Sequence, residues 1–231
     1  MINIAHEAVS GSGDRNLFGR PFLSPLRNAW AAAKQLLSAA PITTAITAVA
    51  LLLQLQTAAH PTCELWFPQL SYSSLHKLAA CHLLHWSWNH FAWDIAVFVV
   101  AGAICESRWK PQFLSLLAVS IFAIPITVAI AQPELLCYRG LSGIDSALFA
   151  LAAGMFLTEE VRSGNWQSAC PAGLAVLAQF LKILLENNAG HTLFVNDAGF
   201  TPVPMAHLAG ALAGSVIAAS SCCALLRTPY E

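Results

Sequence analysis

Long apolar stretches separated by short polar connections dominate the sequence. A membrane-spanning helix needs about 20 mainly apolar residues. Six stretches are of this kind: 41–59, 79–105, 112–131, 141–158, 168–186 and 204–226. No repeat with a period of about 20 to 50 residues is present, so a repeat array is not indicated. The pattern predicts an all-α polytopic membrane protein, a single bundle of six transmembrane helices.

The ends of the chain differ from this core. Residues 1–40 contain charges and glycines but no long apolar run, so a cleaved signal peptide is not expected. In this tail, Ser24 is a suitable N-cap and Pro25 a suitable first residue for a helix along the membrane surface. We therefore expect a tail over residues 1–40, a six-span core over 41–226 and a short terminus over 227–231.

Composition supports a membrane protein and excludes several other classes. The chain is 57% hydrophobic and only 10% charged, whereas soluble domains have about 25% charged residues. The formal net charge of -1 gives no reason to expect a nucleic-acid partner. The seven cysteines are scattered and show no metal-ligand spacing. The expected surroundings are lipid, and no cofactor or metal is expected.

Lysine and arginine residues predict the orientation of the bundle. Most of the 11 fall on one side of the predicted spans, namely Arg15, Arg20, Arg27, Lys34, Arg108, Lys110, Arg162 and Arg227. The positive-inside rule then places both termini in the cytoplasm. On the outer side, which is the periplasm in a bacterium, Cys63 and Cys137 are the cysteines in loops. An oxidising compartment favours a disulfide between them, and two free thiols are the alternative.

Unusual polar residues occur at similar depth in three spans. Ser142 begins the fourth span, and His207 lies near the outer end of the sixth. The outer half of the second span contains four more, His82, His85, His90 and Asp94. Ionisable residues inside a span are costly and indicate a functional interior.

Each of these signals also has a purely structural interpretation. A serine at a helix start is usually an N-cap, and a single intramembrane histidine usually makes a structural hydrogen bond. Gly210 and Gly214 form a GxxxG motif, which is typical of close helix packing. The combination favours chemistry, because both glycines share a helix face with His207. A serine near a histidine, with free N–H groups at a helix start, supplies a nucleophile, a base and an oxyanion hole.

These residues resemble the rhomboid intramembrane serine proteases. The segment GLSG at 140–143 is similar to their GxSG motif, and AHLAGALAG to their sixth helix. The second span is similar too, through His85, His90, a polar residue at 94, and Glu106 with Arg108. The resemblance implies that Ser142 is the nucleophile and His207 the general base, a dyad without a third carboxylate. It also implies an oxyanion hole lined by His90, Asp94 and the Ser142 N–H, supported by His85, Gly140, Gly143 and Asp145.

Two positions depart from the general family. Asp94 replaces the usual asparagine, and Ser146 replaces an aromatic residue that packs on the catalytic histidine. We hypothesise that Asp94 is ionised and pairs with His90, four residues earlier, which keeps a charged donor near the oxyanion. The alternative is a protonated Asp94 that donates directly.

The phrases HWSWNHFAWD and RGLSGIDSALF resemble the rhombosortase branch. That branch implies a bacterial inner-membrane enzyme whose substrates are secreted proteins with a C-terminal glycine-rich motif, a hydrophobic helix and a basic tail, the GlyGly-CTERM signal. A transfer coupled to cleavage is implied only weakly, since nothing in the sequence identifies an acceptor. The alternatives are a general rhomboid protease, an inactive rhomboid-like client-binding protein, a zinc protease or metal carrier using the second-span histidines, and a transporter.

Overall fold

The computed structural model describes residues 31, 34, 35, 38–56, 60–190 and 203–227. The chain divides into two compact units, residues 1–35 and 36–231. The first unit contributes only a few described positions, all of them helical. The expected helix start at Ser24 and Pro25 lies outside the described residues, and so does the terminus 228–231.

Six long helices form the second unit. They are α1 (Pro41–Leu55), α2 (Trp88–Arg108), α3 (Lys110–Ala131), α4 (Ser142–Arg162), α5 (Trp166–Ala189) and α6 (Pro204–Arg227). Within the described residues, four helices are long and apolar enough to cross a membrane: α2, α3, α5 and α6 as far as Cys223. The all-α polytopic membrane fold is therefore confirmed. The number of crossings stays a prediction, because α1 has only 15 residues and α4 contains Asp145 and two glutamates near its end.

The second apolar stretch is shorter as a helix than the sequence predicts. Instead of one helix over 79–105, the structure begins α2 at Trp88. Ser87 is its N-cap, because its side chain accepts the His90 N–H at 3.1 Å. Such a cap satisfies one of the unpaired donors of the first turn and defines where a helix begins.

The segment before α2 is irregular. It consists of a helical turn over Lys77–Ala80, a 3-10 turn over Cys81–Leu83 and an extended residue at Leu84. His82 and His85 therefore do not lie on the helix that carries His90 and Asp94. The expectation that all four residues project from one helix is wrong, because the chain turns between them.

α4 lies at the centre of the bundle and packs against α2, α3, α5 and, most extensively, α6. Glycines make the α4–α6 contact possible. A Cβ atom at Gly210 would overlap the Gly143 carbonyl oxygen, and one at Gly214 would overlap the Ala147 carbonyl oxygen. The two helices thus meet backbone to backbone, as small residues allow in membrane bundles.

The bundle has two distinct ends. The N-terminal ends of α2 and α4 lie together, since Asp94 bonds the Leu141 N–H, and their C-terminal ends lie together, since Arg108 pairs with Glu159. We call the end where α4 begins at Ser142 the site end, and the end where α4 finishes at Arg162 the far end.

A small antiparallel sheet lies in the loops that precede α2 and α4. β1 (Leu65–Trp66) pairs with β2 (Cys137–Tyr138), and Trp66 lies opposite Cys137. Cys63 is therefore three residues away from the position opposite Cys137, and both cysteines are free thiols. The predicted Cys63–Cys137 disulfide is absent from the structure. Burial also raises the pKa of the Cys137 thiol, which favours its protonated form.

Candidate active site

Ser142 is the first residue of α4 and is half-buried. The first N–H groups of an α-helix have no acceptor within the helix. The start of a helix is also the positive end of its dipole, so it favours negative charge. A negative charge that develops on a substrate carbonyl beside Ser142 would therefore meet unpaired backbone N–H donors.

Three hydrogen bonds hold the loop that leads into Ser142. The Gly140 N–H donates to the Cys81 carbonyl at 3.1 Å, and the Tyr138 hydroxyl donates to the Gly140 carbonyl at 3.4 Å. The Leu141 N–H donates to Asp94 Oδ2 at 3.1 Å. Because these bonds fix consecutive backbone groups, they set the position of the serine that follows.

Gly140 is a glycine for a geometric reason. Its φ is +124°, a conformation that residues with a side chain rarely adopt. A Cβ atom there would lie 3.2 Å from His90 Nε2 and 3.4 Å from Asp94 Oδ2. The glycine thus lets the loop backbone approach the His90 and Asp94 side chains of α2.

Asp94 lies between two histidines. Its Oδ2 atom is 3.2 Å from His90 Nε2 and 3.3 Å from His85 Nε2, and all three side chains are buried. The same oxygen accepts the Leu141 N–H. The structure thus brings together His90 and Asp94, which the resemblance assigns to the oxyanion hole, and the supporting residue His85, which reaches Asp94 from outside α2.

His207 lies on α6 next to the start of α4. The carbonyl of the preceding residue, Ala206, is only 3.1 Å from the position of a Cβ atom on Gly143. Ser142 and His207 both line one cavity of about 670 Å³. The other polar lining residues include His90, Asp94, Asp145 and Ser146.

The sequence interpretation missed two ionisable residues of this site, Glu186 and Lys182. Glu186 on α5 is buried, and its Oε2 atom lies 3.1 Å from His207 Nδ1. Lys182, one turn earlier on α5, approaches the same oxygen to 2.8 Å. A carboxylate that the implied dyad does not include therefore lies beside His207. Glu186 could have been found as an ionisable residue inside the fifth apolar stretch, four residues after a lysine.

Asp145 is in the first turn of α4 and faces the same cavity. The residue is 6% exposed, and its Oδ1 atom has no hydrogen-bond partner within the described part of the chain. A buried polar atom without a partner is costly. Asp145 therefore contributes a buried carboxylate with an unpaired oxygen to the wall of the cavity.

His82 does not join the cavity. Its ring packs edge-on against Tyr138 with centroids 5.6 Å apart. Burial lowers the pKa of His82 to about 4, so it is neutral near pH 7. Its contacts belong to the loop that supports Gly140, and no set of three or more potential metal ligands is found among the described residues.

The described helices and the apolar composition define the class, an all-α polytopic membrane protein. The Rhomboid domain matches residues 72–223, which include α2 to α4 and the whole cavity lining. The chain therefore belongs to the rhomboid family, whose members are intramembrane serine proteases. No curated protein matches the chain.

Proposed function

We propose that this chain is an intramembrane serine endopeptidase with Ser142 as nucleophile and His207 as general base. The observation that carries the proposal is the shared cavity: Ser142 and His207 line it together, although they lie on different helices. The glycine contacts of α6 with α4 bring the two side chains to the same end of the bundle.

In the proposed reaction, Ser142 Oγ attacks the scissile carbonyl carbon while His207 accepts the hydroxyl proton. The oxyanion receives donors from the Ser142 N–H and from His90. The tetrahedral intermediate then expels the amine, which takes the proton from His207, and an acyl ester remains on Ser142. Water activated by His207 hydrolyses this ester, which releases the second product and restores the enzyme.

The form of the cavity supports a membrane-embedded substrate. Its wall comes from α2, α4, α5 and α6, and several lining side chains are apolar and about half exposed, including Trp93 at 51% and Leu181 at 53%. Such side chains face lipid in a membrane protein. A peptide segment can therefore enter from the bilayer between α2 and α5, without passing through the packed core around α4.

We further propose the rhombosortase substrate class and the expected topology. Six crossings, with both termini in the cytoplasm, place the site end at the periplasmic face of a bacterial inner membrane. Substrates are membrane-anchored secreted proteins that carry a glycine-rich motif before a C-terminal hydrophobic helix. Glycine costs about 1 kcal/mol relative to alanine in a helix, so this motif unwinds easily and exposes its carbonyl groups to Ser142.

The test uses the purified full chain in detergent micelles with a reporter that contains a GlyGly-CTERM segment. Ser142→Ala and His207→Ala are each expected to lower kcat by at least about 10³-fold. Ser220→Ala is the serine control, because Ser220 is exposed on α6, its hydroxyl donates to the Val216 carbonyl of the same helix, and it does not line the cavity; it is expected to retain activity. A chelator is expected to have no effect, which separates the serine protease from a metal enzyme.

Two results would contradict these proposals. Near-normal processing by Ser142→Ala, in cells without a paralogous protease, would exclude the serine mechanism. Replacement of the glycine pair in the reporter by leucines should abolish cleavage. If the leucine reporter is cut equally well, the chain is a general rhomboid protease, and the substrate class proposed here is incorrect.

A further inference from the structure

The Glu186 side chain is a buried carboxylate at the site end of the bundle. The residue is 1% exposed, yet it lies on α5, a helix whose leucines are largely exposed. A buried carboxylate is costly unless it is paired and hydrogen-bonded. Glu186 has both kinds of partner, because Oε2 lies 2.8 Å from Lys182 Nζ and 3.1 Å from His207 Nδ1.

Glu186 contacts the Nδ1 atom of His207, and this contact indicates which tautomer the imidazole adopts. An imidazole whose Nδ1–H donates to a carboxylate has its lone pair on Nε2. Nε2 is then the atom able to take a proton from a serine hydroxyl, which is the tautomer that a serine protease requires. The carboxylate also stabilises the imidazolium that forms when the proton is transferred.

Lys182 completes the arrangement. Its ammonium group lies one helical turn before Glu186, and the two form an i,i+4 pair on α5. The lysine side chain is about one-third exposed, whereas the glutamate side chain is buried. The positive charge compensates the carboxylate and restrains its rotamer, so that Oε2 stays directed at His207.

We propose that Glu186 is a positioning residue for His207, which makes the site a Ser142–His207–Glu186 triad. This inference rests on the proposed protease function. Ser146 fits the same interpretation: an aromatic residue is absent at a cavity-lining position near His207, and the histidine is instead supported by the carboxylate from α5. The contact between Glu186 and His207 is not evident from the sequence, because the two residues are 21 positions apart and belong to different helices.

The first test is kinetic and uses the full-length protein in micelles. Glu186→Gln is expected to lower kcat by about 10²- to 10⁴-fold with little change in KM, as loss of the orienting carboxylate does in other serine proteases. Glu186→Asp keeps the negative charge, and its kcat is expected to be at least about tenfold higher than that of Glu186→Gln. A Glu186→Gln protein with wild-type kcat, or one that raises only KM, would overturn the proposal.

A double-mutant comparison separates positioning from a structural role of Glu186. If Glu186 acts through His207, Glu186→Gln costs no further activity in the His207→Ala background. An equal loss in both backgrounds would show that Glu186 only holds α5 in place, which would contradict the proposal. Activity that survives Ser142→Ala would instead contradict the protease function itself, so the two failures are distinguishable.

A spectroscopic test does not depend on activity. Nitrogen-15 NMR of protein labelled at its eight histidines reports the tautomer of each ring, and the signals absent from His207→Gln identify His207. The proposal expects the Nδ1–H tautomer in the wild-type protein and its loss in Glu186→Gln. A wild-type His207 in the Nε2–H form would overturn the proposal.

Discussion

The two ends of the bundle contain buried glutamates with different kinds of partner. At the far end, Glu106 on α2 is 2% exposed and accepts the backbone N–H groups of Ile42 and Thr43 at 2.9 and 2.7 Å. The Thr43 hydroxyl donates a third bond to it at 2.9 Å. None of these donors changes its protonation near neutral pH, so Glu106 only ties α1 to α2.

At the site end, the partners are ionisable. Glu186 contacts His207 and Lys182, and Asp94 contacts two histidines. Histidine is the side chain whose charge changes most readily near neutral pH. Burial of a carboxylate is therefore not by itself a sign of catalysis. The kind of partner distinguishes a carboxylate that joins helices from one that we propose supports proton transfer.

Loss of the α4–α6 contact should have the largest effect, because it disrupts the site end as a whole. In Gly210→Ala, the added methyl group would overlap the Gly143 carbonyl oxygen. The two helices must then separate, which moves His207 away from Ser142. We expect loss of detectable cleavage and lower thermal stability in micelles.

Gly173→Ala is the matched control, because its Cβ atom would meet only Leu157 Cδ1 at 3.8 Å. An added methyl group there is expected to leave activity unchanged and to raise stability by up to about 1 kcal/mol, since alanine favours the helix. Equal behaviour of the two variants would show that the close contact is not required.

Asp94→Asn tests whether the site end depends on a charge. In the ion-pair hypothesis, Asp94→Asn leaves His90 uncharged and weakens it as a donor to the oxyanion. Loss of one oxyanion donor costs about 2.7–4 kcal/mol, so we expect kcat to fall by about 10²- to 10³-fold. If the Asp94 carboxylate keeps His90 charged, the loss should grow as the pH rises toward 8. If Asp94 is a neutral donor, asparagine should replace it well at high pH. A variant with the wild-type rate from about pH 6 to 9 would exclude the ion pair.

Glu106→Gln tests the far end and should affect stability rather than chemistry. The amide group can accept fewer of the three donors, and an unsatisfied buried group costs about 1–3 kcal/mol. We expect a lower unfolding midpoint in denaturing detergent, while kcat per folded molecule stays unchanged.

The exposed pair at the same end provides the comparison. Arg108 pairs with Glu159 at 2.7 Å, but their side chains are 49% and 35% exposed. Arg108→Ala is expected to cost at most about 1 kcal/mol. A lower kcat per folded molecule in Glu106→Gln would show that the buried glutamate of the far end also affects the reaction, which would contradict the difference between the two ends.

Much of the fold was predictable because membrane helices follow from local composition. Each of the six apolar stretches contains a helix, and the glycines of AHLAGALAG do lie against α4. The start of α2 was predicted incorrectly, since apolar residues continue past the break at Ser87 and hydropathy does not detect a cap. The disulfide was predicted from compartment alone, without the strand register that separates Cys63 from the position opposite Cys137.

The sequence by itself determined the membrane class, the helices and the short motifs around Ser142 and His207, because each depends on residues close together in the chain. Only the tertiary structure decided the partners of the buried carboxylates. Asp94 reaches a backbone group 47 residues later, and Glu186 reaches a histidine 21 residues later on another helix. Hydropathy and helical periodicity describe one segment at a time, whereas these contacts depend on how α2, α5 and α6 pack around α4.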